Sequence, residues 1–183
     1  MQKEIETRFL DIDKNAFVKK LISLGAIDKG EEKLEELIFY DEEMLWKAKD
    51  KFVRLRKIKD KTKLTYKTRE GRAVDSAQEI ELEVSDFNKC SEIFQNIGLK
   101  TIRQLEKYRR TLEFSDVIVD IDTWPKIPTY AEIEGSSVES LKNIVKQIGL
   151  DWEKRFDGNA SEVFKHYGYD LNKLSVVTFT EFK

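Results

Sequence analysis

Apolar and charged residues alternate one for one through much of this chain, and each alternating run is dominated by charges of one sign. Glu79, Glu81 and Glu83 alternate with Ile80, Leu82 and Val84, and Arg54 and Arg56 alternate with Val53 and Leu55. Lys63, Thr65, Lys67 and Arg69 oppose Leu64 and Tyr66, while Glu4, Glu6 and Arg8 oppose Ile5, Thr7 and Phe9. Lys107 and Arg109 share a face, as do Asp120 and Asp122, and Glu132 and Glu134 oppose Ala131 and Ile133. A period of two belongs to β-strands, on which side chains i and i+2 stand about 6.5–7 Å apart on one face. A solvated sheet face mixes both signs and uses Thr, Ser and Gln freely. Here the signs are sorted by strand. If the sheet closes with its apolar face outward under helices, the charged face becomes a lumen. Its acidic and basic patches must then compensate each other or a ligand, because an unpaired buried charge costs several kcal/mol.

The rest of the chain supplies the elements such a closure needs. Strand periodicity covers residues 3–10, 34–40, 51–59, 62–69, 78–84, 104–114, 116–123 and 130–134, with hairpin tips at Asp60-Lys61 and Ser115-Asp116. Amphipathic helices are predicted at Asp13–Leu24, Ser85–Ile97 and Ser136–Ile148, each followed by glycine, and a shorter one at Asn159–Tyr167. The triplet Glu-Ile-Glu occurs at 4–6, 79–81 and 132–134, and each time a helix ending in glycine follows. The expected fold class is therefore α+β: an eight-stranded, mostly antiparallel β-barrel with helices packed outside. With 183 residues and no linker-like segment, it is expected to be a single domain over 1–183, a core of about 1–150 carrying a C-terminal helical extension of about 151–183.

Composition narrows the function. Lys+Arg is 33 and Asp+Glu is 35, so bulk charge favours neither nucleic acid nor an acidic membrane as partner. One cysteine and one histidine exclude a disulfide framework and a Cys/His zinc site, leaving carboxylates to hold any metal. No apolar leader or membrane-length apolar run is visible, and a cytoplasmic protein is expected. His166 and Cys90 are expected to be structural, and Trp124-Pro125-Lys126-Ile127-Pro128 to be a shaped turn. Residues 175–182 fit either an extra edge strand or an oligomer contact, so a homodimer stays open.

Polyphosphate chemistry uses both patches. Clustered carboxylates hold Mg²⁺ or Mn²⁺, while arginines grip phosphate oxygens in bidentate fashion and lysines add point charge. No Gly-rich phosphate loop occurs, so side chains must supply the grip.

These residues resemble a known family. Glu4-Ile5-Glu6-Thr7-Arg8 resembles the N-terminal ExExK signature of the CYTH proteins, or triphosphate tunnel metalloenzymes. The likeness continues in Val53-Arg54-Leu55-Arg56, Leu64-Thr65-Tyr66-Lys67, Glu79-Ile80-Glu81-Leu82-Glu83 and Glu106-Lys107-Tyr108-Arg109-Arg110. It closes with Ile121-Asp122-Thr123-Trp124-Pro125 and Ala131-Glu132-Ile133-Glu134-Gly135. The resemblance implies a triphosphate tunnel with Glu4, Glu6, Asp122, Glu132 and Glu134 around a divalent metal, Mg²⁺ or Mn²⁺. It implies that Arg8, Arg54, Arg56, Lys67, Lys107 and Arg109 bind a triphosphate-containing small molecule, with Glu79 and Glu81 supporting the basic side chains. The implied activity is hydrolysis of an inorganic or organic triphosphate. Its alternatives are an adenylyl cyclase of class IV type, forming cyclic AMP and pyrophosphate, and a non-catalytic polyphosphate or nucleotide binder. Arg8 stands where the signature has lysine, which keeps the charge but not the ability to lose a proton.

Overall fold

The fold is described by a computed structural model covering residues 2–69, 77–114 and 116–183, without the side chains of residues 2–4. Its strands are β1 (Gln2–Glu4), β2 (Glu6–Phe9), β3 (Ile27–Asp41), β4 (Lys51–Ile58), β5 (Lys61–Arg69) and β6 (Ala77–Val84). They continue as β7 (Leu99–Phe114), β8 (Val117–Thr123), β9 (Tyr130–Gly135) and a two-residue β10 (Val176–Val177). The helices are α1 (Lys14–Ser23), α2 (Leu45–Ala48), α3 (Phe87–Asn96), α4 (Val138–Gln147) and α5 (Ala160–His166).

The sheet runs β1-β6-β5-β4-β3-β7-β8-β9-β2, all neighbours antiparallel. Its two ends are one stretch of chain, interrupted only at Ile5. The first half pairs with β6 (Glu4 opposite Ala77) and the second with β9 (Arg8 opposite Glu132), so the ring of eight strands closes through the N-terminus. Closure removes both sheet edges.

The apolar face points outward and helices cover much of it, although Ile80 and Leu82 of β6 stay about half exposed, at 49% and 48%. Phe17, Val18 and Leu21 of α1 and Leu141, Ile144 and Val145 of α4 bury Leu112, Val119, Ile121 and Ile133. Each fully buried aliphatic side chain of this kind contributes about 1.5–3 kcal/mol. Phe94 of α3 packs edge-on against Phe39 at 5.3 Å, over Leu55. The caps that position these helices are readable in the sequence: Asp13, Asp86 and Ser137 each accept the backbone N–H three residues on, and Asn159 and Glu162 form a capping box.

The third cluster lies elsewhere. Ile38, Leu105, Tyr130 and Phe52 occupy the same strand faces as the lumen charges, yet they pack with Val163 and Phe164 of α5, Leu171 and Val177. Trp124 joins them, donating its indole N–H to the Tyr130 hydroxyl at 3.0 Å and meeting the Phe164 ring edge-on at 5.5 Å. The C-terminal extension therefore fills one end of the barrel with apolar side chains. Within the 175–182 segment, Val176–Val177 adds a short parallel strand to β7, as the edge-strand alternative expects.

Three features depart from the sequence reading. β3 begins at Ile27 and not at 34, with a register shift between Asp28 and Glu31 where Gly30 takes φ 91°. β7 likewise begins five residues before its expected start, at Leu99. The four-residue α2 carries no side-chain cap of its own; Asp41 accepts the backbone N–H groups of Leu45 and Trp46. At the second predicted hairpin tip, Ser115 lies outside the described residues.

Candidate active site

The strand order sorts the lumen by sign. Side by side stand β6, β1–β2, β9 and β8, which carry Glu79, Glu81, Glu6, Glu132, Glu134, Asp120 and Asp122. Opposite them β5, β4 and β7 carry Lys63, Lys67, Arg69, Arg54, Arg56, Lys107 and Arg109. The three Glu-Ile-Glu triplets, far apart in sequence, fall on three adjacent strands.

At the boundary between β7 and β8 the two walls interlock. Lys107 Nζ donates to Asp122 Oδ2 at 2.7 Å, and Arg109 grips the same carboxylate through Nε at 2.6 Å and Nη2 at 2.7 Å. Arg109 also reaches Asp120 through Nη1 at 2.5 Å and Glu132 through Nη2 at 3.1 Å. Asp122 is fully buried and both its oxygens are engaged by bases, so it works as the anchor of Lys107 and Arg109. Burial opposes the charge on Arg109, but Asp120, Asp122 and Glu132 outweigh it and hold the guanidinium well above its ordinary value. For Glu132 burial also opposes ionisation, and Arg8, Arg109 and Lys107 override it, keeping the carboxyl well below its ordinary range.

The N-terminal strand contributes the second cluster. Arg8 Nη2 sits 3.1 Å from Glu6 Oε1 and in contact with Glu132 Oε2, and Arg69 Nη2 reaches Glu6 Oε1 at 3.0 Å. Glu6 and Arg8 are both buried, at 5% exposure. Glu134, opposite Glu6 in the β2–β9 register, lies on the same face. The side chain of Glu4 lies outside the described residues. Two carboxylates converging on one guanidinium nitrogen show that a cation is already held between Glu6 and Glu132, and their oxygens are the hard donors that Mg²⁺ and Mn²⁺ prefer. The donor set fits a divalent ion. Among the described residues no three carboxylates form a ready-made cage.

The basic wall also holds a buried carboxylate that the sequence pattern does not reveal. Glu36, 4% exposed, accepts from Arg56 Nε at 2.6 Å. Burial works against its charge, but Arg56, Lys107 and Arg54 hold its carboxyl far below the ordinary range. Its flanks, Leu34 and Ile38, are apolar and share its face, so the alternation rule that exposed the other charges hid this one. Arg69 is visible in the sequence on the β5 face without a role, and Asp120 stands beside Asp122 outside the expected metal set.

Arg54 makes no ion pair with a carboxylate among the described residues. Its contact is a weak 3.4 Å bond from Nη2 to Thr65, and its buried Nε has no hydrogen-bond partner among the described residues. Burial, then the neighbouring Arg56, lower its pKa from the ordinary value. Across the register from Lys67, Glu79 has a buried Oε2 that is likewise unpartnered among the described residues. Glu81 takes Lys63 Nζ at 2.6 Å and Thr65 Oγ1 at 3.1 Å. His166 lies in α5 against Phe156 and Tyr167, and not among the lumen charges.

Residues 2–156 match the CYTH domain family. A protein of Methanocaldococcus jannaschii, provisionally named an adenylate cyclase, is 26% identical over 160 residues, covering 80% of this chain and 90% of that one. A solved Pyrococcus horikoshii structure superposes with a TM-score of 0.75 at 24% identity, over 87% of this chain and 98% of the other. A Hippeastrum protein provisionally named an adenylyl cyclase, and described with a dominant triphosphatase activity, superposes at 0.64 with 13% identity, covering 94% and 99%.

Proposed function

The chain belongs to the CYTH domain family, and from that premise we propose that it is a divalent-metal-dependent enzyme hydrolysing an inorganic or organic triphosphate inside its charged barrel. The family binds triphosphate substrates and depends on divalent metal. The observation that carries the reading is the lumen divided into an acidic and a basic half, with the buried Nε of the half-buried Arg54 without a hydrogen-bond partner among the described residues.

In this reading Arg54, Arg56, Lys67, Lys107 and Arg109 bind the phosphate chain. Glu36 fixes Arg56 by its Nε, so that its terminal nitrogens are aimed by a buried carboxylate. Asp122 fixes Lys107 and Arg109 in the same way, and Glu81 does so for Lys63. Donors fixed before the substrate arrives need little reorganisation as negative charge shifts toward the leaving phosphate. Glu6, Glu132 and Glu134, with Glu4, would hold the metal, which when bound would polarise the attacked phosphoryl group and offset its charge. Arg8 does not serve as the proton acceptor: burial opposes its charge, but Glu132 and Glu6 raise its pKa beyond any useful range.

The name carried by the M. jannaschii relative favours a second reading, adenylyl cyclase activity with the same phosphate grip. The two differ in product. Purified protein with Mg²⁺ or Mn²⁺ is incubated with inorganic triphosphate, ATP, GTP and thiamine triphosphate, and phosphate, pyrophosphate and cyclic nucleotide are measured. Orthophosphate release is expected, and it should vanish in Glu4→Gln/Glu6→Gln while the fold is retained. Cyclic AMP with pyrophosphate would establish the cyclase, and unaltered turnover in the double variant would overturn the site.

A further inference from the structure

Residues 156–158 run alongside β2 and hold the two arginines that neutralise Glu6. Arg8 N donates to Phe156 O at 3.1 Å and Phe156 N to Arg8 O at 2.8 Å, extending the sheet by one bridge. Thr7 Oγ1 donates to Asp157 Oδ1 at 2.8 Å. The Gly158 carbonyl accepts from Arg8 Nη1 at 2.8 Å, and the Asp157 carbonyl from Arg69 Nη1 at 3.4 Å. Gly158 has no room for a side chain: a Cβ would lie 2.4 Å from the Phe156 ring.

Arg8 is thus forked. One terminal nitrogen is pinned to the strap, and the other lies between Glu6 and Glu132, the two carboxylates best placed for a cation. A lysine at this position carries its donors on a single nitrogen and cannot reach the strap carbonyl and both carboxylates along two separate arms.

We propose that Arg8, held by the 156–158 strap, is a positioning residue that acts as a built-in counter-cation of the acidic wall, so that a divalent ion must displace its guanidinium from Glu6 and Glu132 to bind. The proposal rests on the reading that this wall takes a divalent metal. Its consequence is that metal affinity is set by the strap as well as by the carboxylates. Loosening the fork strengthens metal binding, whereas a purely structural role for Arg8 would leave affinity unchanged or lower it on substitution.

The test is titration of the full chain with Mn²⁺, free ion being read by electron paramagnetic resonance without any turnover. Three proteins are compared: wild type, Arg8→Lys and Asp157→Ala, each checked for native circular dichroism. Arg8→Lys is expected to bind Mn²⁺ about tenfold more tightly, the scale on which outer partners tune metal sites. Asp157→Ala, which frees the strap from Thr7, is expected to move affinity the same way by a smaller factor. Equal or weaker binding in Arg8→Lys, with wild type still binding, overturns the proposal and leaves the metal site intact. If Arg8→Lys does not fold, unchanged affinity in Asp157→Ala overturns it. Absence of Mn²⁺ binding in all three at millimolar metal overturns both this proposal and the metal reading beneath it.

Discussion

Arg54 and Glu36 show at the residue scale how function and stability pull apart. Arg54 is half-buried and among the described residues has one long hydrogen bond and a buried, unpartnered Nε, so it contributes little to the fold in the absence of an anion. Arg54→Ala is expected to leave thermal stability unchanged within about 1 kcal/mol, or to raise it, because an under-bonded, half-buried charge is removed. Affinity for inorganic triphosphate should fall at least about tenfold, since a bond to a charged group amounts to about 1.5–3 kcal/mol. Parallel melting and calorimetric titration decide this; a large loss of stability with unchanged affinity would sink it. Glu36→Gln should behave oppositely. It keeps a hydrogen-bond acceptor but leaves Arg54, Arg56 and Lys107 short of a counter-charge, an imbalance of about 3 kcal/mol. An anion supplies the missing charge. Saturating inorganic triphosphate should therefore raise the melting temperature more in Glu36→Gln than in wild type, and equal increments would contradict the assigned role.

Elements differ in how plainly the sequence declares them. α1, α3, α4 and α5 are legible from apolar residues at helical spacing and from the glycines that stop them, Gly25 and Gly98 doing so at φ of 96° and 94°. The first half of β3 is not legible, because Gly30 and its register shift break the alternation on which the strand is recognised. α5 is legible as a helix, but its location is not. Its Phe164, fully buried, sits in the end of the barrel against Trp124 and Tyr130. Phe164→Ala should destabilise by about 3–5 kcal/mol, the range for deleting a buried aromatic. A urea midpoint shift equivalent to less than 1 kcal/mol would mean that α5 rests on the barrel without sealing it.

The pH response belongs to the whole molecule, because the lumen groups titrate as a set. Glu36, Asp122 and Glu132 are all held below their ordinary pKa values of 3.8 to 4.5 against the opposing effect of burial, Glu36 chiefly by Arg56, Asp122 by Arg109 and Glu132 by Arg8. Carboxyls depressed in the folded state contribute stability that is complete above their unfolded pKa values. It is lost as pH falls, because the unfolded chain then binds more protons. The melting temperature should therefore stay nearly level from about pH 8 to about pH 5 and fall steeply below about pH 4. A decline already under way at pH 6 would show that these pairs are not formed.

By itself the sequence determined the local facts. Period-two alternation fixed which face of each strand is charged, apolar stripes and glycines fixed the helices, and sorting by sign marked Glu6, Arg54, Arg56, Lys107, Arg109 and Glu132 as lumen residues. Those signals act over two to four residues, within the reach of the backbone's own geometry. Strand order and register came only with the tertiary structure. They brought the 4–6, 79–81 and 132–134 triplets onto neighbouring strands, matched Glu36 with Arg56 and Asp122 with Arg109, and laid Gly158 against Arg8. Pairing across such separations depends on which apolar faces the helices cover and where the ring closes. No local pattern encodes either, because each is a property of the packed whole.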